Sequence, residues 1–477
     1  MTATAPAAAP RIPFYTILAF ALPGMTLAGI VLVFGVYLPR YYVGLGVDFL
    51  GVGLAVAVVR LIDVWFDPIL ALGMDRTRTP IGRYRPWLVL GAPILMLGLY
   101  MLLMPRGAAS TGYLILWMLV SYVGLSAMTL STTAWTSILA PTYHGRSRVY
   151  GWTLGMAVLG SIALLLLPAL THGAVTLGKA KSMPAITLIL VIAVPLAVAV
   201  CALATPERTI ATARPRFSLA DFWAAMTRQN MARIIIADLA LSLGVGTTAP
   251  LYVYFFHDAK GFNVAEVGFL LIFYIGASLI GAPAWGRIAQ SLGKHRTLQI
   301  ACVCYAIAQT TLMALPRVWP GHTLVQTLPT VAGMFAVGFT ASAFILLIRA
   351  MVADVVDEAR LETGQDNTSL LFSMVTTTTK IGAAITVTVV FPVLKLVGYN
   401  GKEGAVNTAH AIFGLEMCYL FAPIILVFLG GGLFFGYKLD AARHAEIRAA
   451  LAARDAPRAE PPLVEAEDAI ASTGAVL

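Results

Sequence analysis

"RLIDVWFDPILALGMDRTRTPIGRYRPW", Arg60 to Trp87, decides how this chain folds. Its first part continues an apolar run that starts near Phe49, and its second part is a basic loop. Arg60, Asp63 and Asp67 all fall in the apolar part. A spanning helix needs roughly 20 apolar residues, so if this segment spans, three formal charges lie in hydrocarbon.

Composition says that it spans. Of 477 residues, 59% are hydrophobic and 12% charged, against about a quarter charged in a soluble domain. Twelve apolar runs are long enough, near 13–38, 49–73, 87–104, 112–140, 150–171, 184–204, 233–256, 264–286, 297–315, 324–352, 368–397 and 411–437. The expected class is therefore an all-α integral membrane protein. The small residues "TATAPAAAP" precede the first run, whereas a cleavage site would follow it, so that run is expected to stay as a span. The four cysteines all fall in apolar runs and read as small buried hydrophobes.

The net charge of +9 need not mean nucleic acid. With the N-terminus inside, most of the 32 Lys and Arg fall in cytoplasmic segments, which is the positive-inside bias. No nucleic-acid partner is expected; the lipid bilayer and a small-molecule substrate are. The expected location is the bacterial inner membrane, with both termini cytoplasmic.

The longest polar connection, "TPERTIATARPRFSLADFWAAMTRQNMAR" (Thr205–Arg233), separates six runs from six. Matching basic loops, "GMDRTRTPIGRYR" and "GRIAQSLGKHR", follow the second and eighth runs, the internal symmetry of a transporter built from repeated halves. The expected division is a half over 1–204, a central loop over 205–232, a half over 233–437 and a tail over 438–477. The tail is expected to be a surface helix and then disordered.

Asp63 and Asp67 are four apart and share one helix face with Arg60. Each carboxylate costs about 2.5–3.5 kcal/mol near mid-membrane. An Arg60–Asp63 pair would neutralise one of them but leaves Asp67 unexplained. Two carboxylates one turn apart can gather oxygen ligands for Na+ or hold a proton. Pro68 removes a backbone hydrogen bond beside them and permits a bend. Lys380, midway along the eleventh run, is the natural partner across the halves. Ser131 and Thr132, in "MTLSTTAWTSILAP", are candidates for further neutral oxygens, although such hydroxyls mostly bond their own backbone. Asp238 and Glu416 read as structural.

Three blocks carry a resemblance. "RLIDVWFDPILALGMDRTRTPIGRYRPWL", "TYHGRSRVYGW" and "MVADVVDEARLETGQ" followed by Lys380 resemble the glycoside–pentoside–hexuronide:cation symporters of the major facilitator superfamily. The resemblance implies the major-facilitator fold, twelve helices in two six-helix halves, and cation-coupled uptake by alternating access. It matches Asp63 and Asp67 to the family's cation-binding aspartates, Arg60 to the arginine before them, and Lys380 to its eleventh-helix lysine. Departures are as specific. Phe66 replaces an asparagine, Met25 stands where a sugar-binding aspartate is expected, no acid occurs among Thr132, Thr133 and Ala134, and Trp152 falls near the place of an arginine. The residues expected to face the solute are Met25, Tyr37, Arg60, Trp135, Trp152 and Thr376.

"ADVVDEARLETGQDN" is acidic on a side where basic residues prevail. A cytoplasmic gate is expected in which Asp354 and Asp357 meet Arg76, Arg83, Arg85, Arg146 or Arg148, with Asp75 beside them, when that side closes. The leading expectation is a Na+- or H+-coupled symporter for a glycoside or related sugar, acting as a monomer without a cofactor. The alternatives are a lysolipid carrier and a non-transporting assembly factor on the same fold. No HExxH, nucleophile elbow or Walker motif points to an enzyme or to direct use of ATP.

Overall fold

The computed structural model describes residues 12–107, 109–140, 143–171, 180–207, 226–319, 321–363, 368–402 and 404–455. Twelve of its helices are long and apolar enough to cross a membrane. The first six are α1 (Phe14–Gly44), α2 (Phe49–Met74), α3 (Arg85–Leu103), α4 (Thr111–Thr136), α5 (Arg148–Pro168) and α6 (Met183–Ala204). The second six are α7 (Gln229–Ala259), α8 (Val264–Leu292), α9 (Lys294–Ala314), α10 (Val325–Thr363), α11 (Leu371–Leu396) and α12 (Ala409–Gly432). One amphipathic helix follows, α13 (Ala441–Asp455). An even number of spans places the start of α1, the linker and the tail on one side, called the linker side below.

The halves repeat each other. α3 packs on α4 as α9 packs on α10, and α1 packs on α5 and α6 as α7 packs on α11 and α12. Small residues permit the close approaches, since lipid supplies no hydrophobic drive between helices. A Cβ on Gly124 of α4 would lie 2.5 Å from the Leu95 nitrogen of α3, and one on Gly160 of α5 would lie 2.0 Å from the Met25 oxygen of α1. The first helix of each half also carries a π-helical turn near the side opposite the linker, at Val33–Tyr37 and Phe255–Ala259.

The halves meet where α2 lies against α11 and α5 against α8. On the side away from the linker an aromatic plug joins them. Phe49 sets its edge on Phe391 at 5.0 Å and on Tyr254 at 5.9 Å. Arg40 lies over Tyr254 and reaches Asp258 at 3.6 Å, while the Tyr399 hydroxyl donates to the other Asp258 oxygen. Lys395 and Asp48 close a more exposed bridge at 2.9 Å. On the linker side, the α10 acids Asp354 and Asp357 pair with residues of the second half and of α13.

Two expectations change. α10 does not end near residue 352 but continues to Thr363, because "VVDEARLET" is rich in helix formers. Asp354 and Asp357 therefore sit on a helix, not in a loop. The tail helix does not lie alone on the membrane surface: α13 docks on α10. Ile447 and Leu451, four apart, are buried there, and His444 and Arg448 on the same face meet the α10 acids. The part of the tail expected to be disordered lies outside the described residues.

Candidate functional site

Asp63 and Asp67 project from α2 toward α11, and the Lys380 ammonium lies between them. Its Nζ donates to Asp63 Oδ2 at 2.9 Å and also to Asp67 Oδ2. Helix rise explains the meeting. At 1.5 Å per residue, Asp63, Lys380 and Asp67 lie about 21, 24 and 27 Å from the ends of their spans away from the linker. The lysine is thus level with the gap between the carboxylates. The Asp63 side chain is 3% exposed, against 20% for Asp67 and 23% for Lys380. Access to the trio therefore runs past Asp67.

Ser126 of α4 donates to Asp63 Oδ1 at 2.7 Å, so both Asp63 oxygens are engaged. Asp67 Oδ1 is buried with no hydrogen-bond partner. A buried acceptor left open is costly. The group is a cage of two carboxylates around the protein's own ammonium, with the Ser126 hydroxyl bracing Asp63.

The expected oxygen donors are displaced. Ser131 and Thr132 both donate to the Met128 carbonyl one turn back and do not reach the aspartates. Depth and helix phase give the reason. Ser126 lies about 22 Å along α4, level with Asp63, whereas Ser131 and Thr132 lie about 30 Å along and on other faces. A depth count would have picked out Ser126. Nor does Arg60 pair with Asp63: its guanidinium lies over the Tyr122 ring at 4.6 Å, and its Nε has no hydrogen-bond partner.

The residues expected to face a solute have varied surroundings. Met25 packs against Gly160. Tyr37 is fully buried, near Gly268 of α8. Trp135 is also fully buried, edge-on to Phe20, with its indole nitrogen on the Pro206 carbonyl and Arg85 over its ring. It supports the start of the linker and presents no face to a solute. Trp152 is 41% exposed and edge-on to Phe14. Thr376 is exposed one turn linker-ward of Lys380.

The expected gate is not assembled in this conformation. Asp354 binds Lys294 at 2.5 Å and His444 at 3.3 Å, and Asp357 binds His444 at 3.0 Å and Arg448 at 3.6 Å. These partners belong to the second half and its tail helix. In the first half, Glu207 accepts from the backbone nitrogens of Arg83, Tyr84 and Arg85, and Arg85 also binds the Thr205 carbonyl. The Glu207 carboxylate thus caps the start of α3. Arg76 and Arg148 are exposed, while the side chains of Asp75 and Arg146 lie outside the described residues.

Comparison with known proteins agrees with this architecture. The isoprimeverose transporter of Lactiplantibacillus pentosus is 24% identical over 85% of this chain and 84% of its own length. The human sodium-dependent lysophosphatidylcholine symporter 1 is 24% identical over 83% and 78%. Among solved structures, a mutant of the nucleoside transporter NupG superposes with a TM-score of 0.68 at 14% identity, covering 88% of this chain and 99% of that one. This likeness is one of fold. The family model described as MFS/sugar transport protein matches residues 19–441. With its twelve spans in two repeated halves, the chain belongs to that family and, within the major facilitator superfamily, to the glycoside–pentoside–hexuronide:cation symporter group.

Proposed function

We propose that this transporter is a symporter that imports a small hydroxylated solute, a glycoside or related sugar, driven by an Na+ or H+ gradient. The observation that carries the reading is the Lys380 ammonium of one half held between Asp63 and Asp67 of the other. An ammonium in that position stands in for the coupling cation, and an arriving cation must displace it. Displacement loosens a bond between the halves at mid-membrane, and this links cation entry to their relative movement. The basic bias supports a cytoplasmic linker side, on which reading the aromatic plug closes the outer side. The protein then works as a monomer in the bacterial inner membrane.

A lysolipid cargo is the second reading, favoured by the similarity to the human lysophosphatidylcholine symporter and by Met25 standing where the sugar-gripping acid is expected. Proteoliposome uptake of a panel of glycosides and lysophospholipids, under imposed Na+ or pH gradients, separates the two. Asp63→Asn and Asp67→Asn each abolish gradient-driven accumulation while the protein still inserts. Full accumulation by the double variant refutes coupling through this pair and leaves the assembly-factor reading standing.

A further inference from the structure

Asp238 of α7 is a second carboxylate inside the membrane, and the coupling trio does not use it. It is 6% exposed. Its one hydrogen bond among the described residues comes from Thr379 of α11, at 3.2 Å. That hydroxyl has a single proton, which it also directs to the Val375 carbonyl at 3.0 Å. Asp238 therefore holds half a hydrogen bond where a carboxylate has about four acceptor sites. No ion pair to it exists among the described residues. A buried carboxylate this poorly partnered is costly unless something visits it.

Its neighbour in the chain supplies the visitor, because Thr379 immediately precedes Lys380. Asp238 and Lys380 also lie at equal depth, each about 14 Å from the linker-side end of its span. Cα atoms of adjacent residues are about 3.8 Å apart, and a lysine chain reaches about 6 Å. Thr379 and Lys380 point about 100° apart around α11. The ammonium therefore comes to the Asp238 carboxylate, touched by the short Thr379 side chain, only by turning about its own side-chain bonds from the α2 side of the helix to the α7 side.

We propose that Asp238 is the second seat of that ammonium: when a cation takes the place between Asp63 and Asp67, Lys380 swings within its own half to Asp238. This rests on the coupled-symport reading and deepens it. A displaced ammonium with no acceptor in hydrocarbon would resist displacement, so Asp238 makes the cation site loadable. It acts through Lys380 and is a positioning residue. A role in gripping solute hydroxyls fits less well, because the side chain is almost wholly buried.

The test is a double-mutant cycle on purified full-length protein in nanodiscs. Cation affinity is read from intrinsic fluorescence, by titrating NaCl against choline chloride and by a pH series. Asp238→Asn is expected to weaken affinity for the coupling cation at least about fivefold and to do nothing in a Lys380→Gln background, whereas Asp238→Glu restores affinity. Should Asp238→Asn fail to fold, Thr379→Val reports independently. It removes the competing donor, so affinity rises at least about fivefold, again only with Lys380 present. Equal losses in both backgrounds overturn the proposal, as does unchanged cation affinity with weakened solute uptake, which would make Asp238 a solute contact. If neither Na+ nor pH affects the unsubstituted protein, coupled symport itself fails and the second seat with it. Failure confined to the cycle, with the Asp63→Asn loss intact, removes only the second seat.

Discussion

At the scale of single residues, the cage is built by charge and depth. Asp63, Asp67 and Lys380 stand out in the sequence because nothing else explains their cost in an apolar run. Ser126 does not, because a serine in a membrane helix is ordinary and only its level opposite Asp63 selects it. A hydrogen bond to a charged group contributes about 1.5–3 kcal/mol. Ser126→Ala should therefore change cation affinity by about tenfold or more, upward if the cation is H+ because the carboxylate loses the bond that favours its charged form. Ser131→Ala, which loses a bond to its own helix, should leave it unchanged. Equal titration curves for the two variants would remove Ser126 from the site.

At the scale of elements, close helix contacts set where each side chain arrives. Gly124 of α4 lies against the α3 backbone and fixes the rotation of α4, and so the direction of Ser126. Overpacking costs about 1–3 kcal/mol. Gly124→Ala should lower Tm by several degrees, while Gly151→Ala, which has nothing within 4 Å of the added methyl, should be neutral. A Tm equal to that of the unsubstituted protein for Gly124→Ala would show that α3 and α4 can part at no cost. The reach of α10 was hidden for a related reason. Acidic residues after an apolar run read as a loop, but the helix needs only good formers and a docking partner, which α13 provides.

At the scale of the whole molecule, two ion pairs hold the side away from the linker shut, and they differ in worth. Arg40 and Asp258 are largely buried, and breaking such a pair costs about 3–5 kcal/mol. Lys395 and Asp48 are each more than half exposed, worth about 0–1 kcal/mol. Asp258→Asn should therefore shift label-to-label distances across the plug toward an open form, and Lys395→Met should barely move them. The reverse order would refute the assignment. The Lys395 hydrogen bond holds the Asp48 carboxyl below its ordinary range. A depressed carboxylate contributes above its unfolded pKa and loses its contribution as pH falls through the folded one. The small effect of Lys395→Met should thus persist through neutral and mildly acid pH and vanish only in strong acid. The expected linker-side gate belongs to the opposite conformation: here Lys294, His444 and Arg448 hold the acids that the first-half arginines would take on closure.

The amino-acid sequence determined the membrane class, the twelve spans, the division at the linker and the three charges at mid-membrane. Each of these is a local property, a run of apolar residues or a charge that interrupts one. Only the tertiary structure decided which hydroxyl meets Asp63, that Arg60 rests on Tyr122, that the tail helix covers α10, and that Asp238 shares a level with Lys380. Those outcomes depend on how far each helix is rotated and shifted against its neighbours. Backbone approach at small residues sets that register, and no single helix carries it in its own sequence.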